Sequence, residues 1–97
     1  MAEVGLSPRA RADLAAIDDY SEGQFGREIA DAYADGLEAI FDLLSRHPLS
    51  GAAMPKLGKG VRCIVHRKHR IFYTVRDDIV LIARIIHHAR NAKSALR

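Results

Sequence analysis

Residues 61 to 88, VRCIVHRKHRIFYTVRDDIVLIARIIHH, limit the possible folds more than any other stretch, because three runs rich in β-branched and aromatic residues follow one another with only short polar breaks. Val61 to His66, Arg70 to Arg76 and Ile79 to Ile86 read as three antiparallel strands joined by two hairpins. Side chains along a strand point alternately to two faces. In the first strand Val61, Cys63 and Val65 alternate with Arg62, Ile64 and His66; in the second Ile71, Tyr73 and Val75 alternate with Arg70, Phe72, Thr74 and Arg76. The pattern predicts one apolar face and one that carries cations. In the third strand Leu81, Ala83 and Ile85 share a side and Val80, Ile82, Arg84 and Ile86 share the other, so this outer face is only partly polar and is expected to be covered by something besides water. Like charges directly opposed on a sheet cost about 0.2 to 1 kcal/mol. Arg62, Arg70 and Arg84 therefore read either as solvated strand arginines or as a grip for an anionic or carboxylate-bearing partner.

The remainder of the chain supplies a cover for the apolar face. Glu3 to Leu6 is a short candidate strand, and Ser7-Pro8 is a helix start, with a capping hydroxyl and a proline where no backbone donor is needed. Ala10, Leu14 and Ile17 recur at helical spacing, giving a helix from Pro8 to about Ser21, with a stripe that can extend to Phe25. Gly23 and Gly26 mark a turn. Ile29, Tyr33, Leu37, Ile40 and Leu44 then place a second apolar stripe on a helix that ends near Arg46, because Pro48 disfavours helix in the residue before it. Two such helices form an antiparallel hairpin, and the sheet is the surface available to bury their stripes. His47 to Gly60 is a loop, whose GKG lacks the spacing of a phosphate-binding loop; Lys56 and Lys59 in it can reach the region of Arg62. The closing HHARNAKSALR is either a final helical turn or a mobile tail.

At 97 residues the chain is expected to be one domain, residues 1–97. No run reaches the roughly 18 apolar residues of a spanning helix and MAEVGLSPR lacks signal-peptide character, so a cytoplasmic location is expected. The single cysteine, Cys63, reads as a small core residue. Charge is segregated: through Pro55 four Lys or Arg face ten Asp or Glu, whereas from Lys56 eleven face two. Such asymmetry points to an acidic or nucleic-acid partner for the basic half, or to two halves that satisfy each other across the fold. The five histidines give no chelating pattern: His66 and His69 fall on a hairpin, and His87 and His88 point to opposite faces if the strand continues. Carboxylates cluster on the helices, away from the cationic strands, and no nucleophile–base pair is legible.

Several strings fit one pattern in order: Leu6-Ser7-Pro8-Arg9-Ala10 with Asp13-Leu14, Pro55-Lys56-Leu57-Gly58, Gly60-Val61-Arg62, His69-Arg70-Ile71-Phe72-Tyr73-Thr74-Val75 and Ile85-Ile86-His87. Over nearly its whole length the chain resembles the RelE/ParE toxin superfamily and, within it, ParE-type toxins. The resemblance implies an α+β fold in which an N-terminal strand and an antiparallel helix hairpin pack on one face of a three- to four-stranded, mainly antiparallel sheet. It also implies a toxin of a type II toxin-antitoxin system, used in plasmid stabilisation, neutralised by a ParD-like antitoxin, and poisoning DNA gyrase by binding, without cofactor or metal and with DNA contact only through the complex. Candidate target contacts are then Arg62, Arg70, Arg84, Arg90, Lys93 and Arg97; candidate antitoxin contacts are Met54, Leu57, Val80, Ile82 and Ile86, unless these are internal core. The alternative is the RelE-like ribosome-dependent messenger-RNA endonuclease, onto which Lys56, Arg62, Arg84 and His87 can be mapped. The tail has no tyrosine, and cations without a positioned proton donor and acceptor forgo the 10²- to 10⁴-fold that acid–base catalysis typically contributes. A member acting only as a scaffold in its complex is the third reading.

Overall fold

The computed structural model describes residues 1–97, the whole chain. In chain order it contains β1 (Glu3–Leu6), α1 (Pro8–Phe25), α2 (Arg27–Arg46), β2 (Ala52–Ala53), a 3₁₀ turn (Pro55–Leu57), β3 (Val61–His66), β4 (His69–Arg76), β5 (Ile79–His87) and α3 (Ala92–Ala95). The five strands form one sheet in the order β1-β5-β4-β3-β2. Only the β1–β5 pair is parallel. The α+β class, the N-terminal strand, the helix hairpin and the three-strand meander are as expected. The sheet has one strand more than the upper expectation, because Ala52 and Ala53 of the loop pair with Cys63 and Arg62.

Local chemistry explains the element ends. Ser7 Oγ accepts a hydrogen bond from the Ala10 N–H at 3.0 Å and donates to the Ala83 carbonyl at 2.7 Å, so one hydroxyl caps α1 and ties it to β5. The first helix runs through Gly23 to Phe25, and the turn is Gly26 alone, whose φ of 89° suits a residue without Cβ. α2 ends at Arg46, ahead of Pro48 as expected. Along α2 Leu37 and Leu44 are buried, while Ile29, expected on the inner stripe, is 53% exposed and Ala30 takes the inward position. The C-terminal segment forms a helical turn: Asn91 caps it through Oδ1 and Ala95 is buried.

Two apolar clusters flank the sheet. The larger packs Ala10, Leu37 and Leu44 of the helices against Ile71, Tyr73, Val80, Ile82 and Ile85. The smaller, on the opposite face, is Phe72, Ile86 and Ala95, with Leu57, Val61, Cys63, Ala92 and Leu96 around them. The partly apolar outer face is thus covered in part by the chain's own α3 and 3₁₀ turn. Strict alternation fails at one place. Phe72 lies opposite Arg84 but Tyr73 lies opposite Ile82, so Ala83 is an extra residue, a β-bulge. Val80, Ile82 and, beyond the bulge, Ile85 therefore all face the helices, and Arg84 and Ile86 turn to the other side.

Tyr73 is fully buried and still satisfied: its hydroxyl donates to the Pro48 carbonyl and accepts from the Gly51 N–H, each at 2.8 Å. A Cβ at Gly51 would lie 2.7 Å from that hydroxyl, so the loop closes onto the sheet only with glycine there. Because Ser7 both caps α1 and anchors it to β5, Ser7→Ala is expected to lower folding stability by about 1–2 kcal/mol, read as a lower urea midpoint with unchanged m-value.

Candidate functional site

The three sheet arginines do not form one grip. Cross-strand partners share a face, and Arg62 pairs with Tyr73 on the helix side, whereas Arg84 pairs with Phe72 and Arg70 with Ile86 on the other side. Each is engaged within the chain. Arg84, only 6% exposed, donates from Nε to Asp13 Oδ2 at 2.8 Å, from Nη2 to Asp13 Oδ1 at 3.0 Å, and from Nη1 to the Ala95 carbonyl at 2.7 Å. Asp13 Oδ2 also accepts the Ile85 N–H at 2.9 Å. The hydrogen bond to Asp13 raises the Arg84 pKa further, so the guanidinium is permanently charged and inaccessible. This corrects the expectation that Arg84 is a target contact or catalytic cation, and that the helix carboxylates lie away from the strand cations. Arg62 donates to the Gly51 carbonyl at 2.6 Å and holds the loop. Arg70 donates to the Arg90 carbonyl and lies 5.4 Å from the Phe72 ring centre.

The expected antitoxin contacts divide likewise. Val80, Ile82 and Ile86 are buried in the two clusters, a correction that follows from strand parity and the Ala83 bulge. Met54 and Leu57 are half-buried, and Ile79 and Leu81, not singled out in the sequence, are 50% and 43% exposed. Leu81, Thr74 and Val61 form one cross-strand row, and Lys59 and Arg76 border the concavity that Leu81 and Thr74 line. The remaining candidate target cations, Arg90, Lys93 and Arg97, are exposed on and around α3, and no salt bridge neutralises them. Lys56 is exposed too, on the 3₁₀ turn.

At the other end of the sheet five rings meet. Tyr33 of α2 lies 5.3 Å from His66 and 5.5 Å from His69, centre to centre; His69 lies 5.7 Å from His87, and His87 4.4 Å from His88. The last two come together because β5 ends at His87. Tyr33 Oη and His69 Nδ1 are hydrogen-bonded at 2.6 Å. A Cβ at Gly36 would lie 2.7 Å from His66 Nε2, so that glycine makes room for the ring. Burial raises the Tyr33 pKa, and burial lowers those of His66 and His69, with neighbouring cationic groups adding to the effect. No three His, Cys, Asp or Glu side chains are arranged to hold a metal ion. A cleft of about 340 Å³ opens here between the helices and the β3–β4 turn, lined by Tyr20, Phe25, Ile29, Arg67, Lys68 and His69 among others. Sequence reading missed it. Its one signal was Tyr20 lying off the stripe begun by Ala10, Leu14 and Ile17, which leaves it 66% exposed; Phe25, to which that stripe was expected to extend, is 59% exposed.

Two outcomes follow from these contacts. Asp13→Ala strands a buried guanidinium and an edge N–H, and is expected to cost about 3–5 kcal/mol of folding stability in chemical denaturation, with Asp13→Asn losing less. His66 and His69 bind protons more weakly when folded than when unfolded, so their contribution is complete above imidazole's ordinary pKa of 6.5 and lost as pH falls below it. Urea midpoints measured from pH 7.5 downward should decline through that window in the native chain, and less steeply in a His66→Gln, His69→Gln variant.

Comparison with known proteins agrees with this architecture. The family described as "ParE toxin of type II toxin-antitoxin system, parDE" matches residues 4–92. Toxin ParE1 of Caulobacter vibrioides is 37% identical over 91 residues, covering 94% of each chain. Toxin ParE1 of Mycobacterium tuberculosis is 29% identical over 83 residues, covering 84% of this chain and 85% of the relative. A solved structure described as the chromosomal ParDE TA system from P. aeruginosa superposes with a TM-score of 0.76 at 26% identity, covering 90% of this chain and 96% of that one. On that extent of match, the chain belongs to the ParE toxin family of type II toxin-antitoxin systems.

Proposed function

We propose that the protein poisons DNA gyrase by binding, and that a small ParD-like antitoxin neutralises it. The observation that favours binding over messenger-RNA cleavage is the dispersal of the mapped catalytic set. Arg84 is locked against Asp13, Arg62 faces the helix side, Lys56 stands on the 3₁₀ turn, and His87 is at the far end of β5. Acid–base catalysis needs donor, acceptor and charge within hydrogen-bond reach of one phosphate, and these four residues supply no such point. The exposed Arg90, Lys93 and Arg97 are the cations that remain for a target, and rim charges of this kind act on encounter and orientation. The antitoxin segment is assigned to the concave face beside Met54 and Leu57, with Leu81 and Ile79 in place of the internal Val80, Ile82 and Ile86. An amphipathic segment laid there would bury apolar area worth about 25 cal/mol per Å² before ordering costs.

A gyrase supercoiling assay tests the reading. The native toxin should block supercoiling, Arg90→Ala with Lys93→Ala and Arg97→Ala should weaken inhibition by about tenfold, and Leu81→Glu should still inhibit but resist rescue by the antitoxin. Normal supercoiling at excess toxin, together with ribosome-dependent cleavage of messenger RNA, would transfer the assignment to the endonuclease reading.

A further inference from the structure

The cleft over the β3–β4 turn adjoins a second cleft of about 280 Å³, and Tyr20, His69 and His87 line both. Together they make one trough between α1, the end of β5 and the β3–β4 turn. Arg90 stands at one end, Arg67 and Lys68 at the other. The trough therefore sets planar rings between cations at its two ends. The only carboxylate on its walls, Asp13, is already engaged by Arg84 and the Ile85 N–H. Of the other acids on the same helix, Asp18 and Glu22 are held by Arg27 at the hairpin turn, and Asp19 is exposed and without an ion pair but does not line the trough. No free carboxylate lines the trough.

Rings in such a setting have a specific use. Every nucleobase has a flat apolar face that stacks on an aromatic side chain, and flanking cations take the phosphates on either side. In a duplex those faces are hidden, so a trough that gains by stacking discriminates for unpaired strand. An acidic peptide would engage the cations but has no group that needs a row of ring faces. His69 is held neutral near pH 7 by burial and by the imidazoles beside it, so at that pH its ring offers a stacking surface rather than charge.

We propose that this trough binds single-stranded DNA directly, with bases stacked on Tyr20 and His87 and phosphates held by Lys68, Arg67 and Arg90. The site is remote from the concave face assigned to the antitoxin and requires no gyrase, so it goes beyond the function proposed above and is tested without that enzyme.

The measurement is fluorescence anisotropy of a labelled oligothymidine and of a duplex of the same length, titrated with the purified full-length chain at several salt concentrations. Single strand should bind more tightly than duplex. Tyr20→Ala, at an exposed position where circular dichroism should show an intact fold, and His87→Ala should each weaken binding about tenfold. Lys68→Ala should reduce the salt slope by about one. Lys59→Ala and Arg76→Ala, which remove equal charge at the opposite end of β4, should change affinity less than about twofold. The proposal is overturned if strand and duplex bind equally, if Lys59→Ala costs as much as Lys68→Ala, or if the oligonucleotide does not bind while a polyglutamate peptide does and Tyr20→Ala abolishes it.

Discussion

Asp13 is the residue on which the assembly of this small fold turns. β1 pairs with β5 only as far as Ile82, and the chain then enters α1, so the outer edge of β5 continues without a neighbouring strand. Exposed edge groups invite pairing with other chains, and here the first turns of α1 cover them. Ser7 takes the Ala83 carbonyl and Asp13 takes the Ile85 N–H. The same carboxylate receives the fork of Arg84, whose remaining arm reaches the Ala95 carbonyl of α3. One acid thus links a helix, a sheet edge and the C-terminal turn. A buried charge pair of this sort adds little net stability relative to an apolar replacement, yet losing one member is costly, which makes it a device for fixing one arrangement.

The bulge at Ala83 makes that link possible. Without it Arg84 would fall on the same face as Val80 and Ile82, against the helices' apolar stripes. With it, the apolar residues Val80, Ile82 and Ile85 stay on the helix side and Arg84 moves across to meet Ala95 while still reaching the edge. The same shift places Ile86 beside Phe72 and gives α3 a surface to seal. The second face of the sheet is consequently divided. Its centre is covered by the chain's own C-terminal segment, and the end near Leu81, Lys59 and Arg76 is left open.

Charge segregation along the chain acquires a concrete meaning from this geometry. The acidic helices do not neutralise the basic half as a whole; they contribute one carboxylate to one arginine, and three others surround Arg27 within the helix hairpin itself. The basic residues on turns and on α3 remain in solvent, where long-range attraction sets encounter rates and orientation. Of the arginines read as binding residues, Arg84 is buried against Asp13, Arg62 and Arg70 are half-buried and bond backbone carbonyls, and the cations on turns stay exposed.

The three meander strands, the start of α1 at Ser7-Pro8 and the end of α2 at Arg46 were legible in the sequence because alternation, capping and proline sterics are local properties. The family resemblance was legible for the same reason, being carried by short strings in a fixed order. Which face Val80, Ile82, Arg84 and Ile86 occupy was not, since alternation holds only while the ladder is unbroken and the break is created by pairing between Phe72–Tyr73 and Ile82–Arg84. Nor were the partners of Arg84, 71 residues from Asp13, or the meeting of Tyr33 with His66, His69 and His87. Local chemistry determined the elements and their order; contacts between residues distant in the chain decided which charges are buried and which surfaces stay open, because only packing brings those groups together.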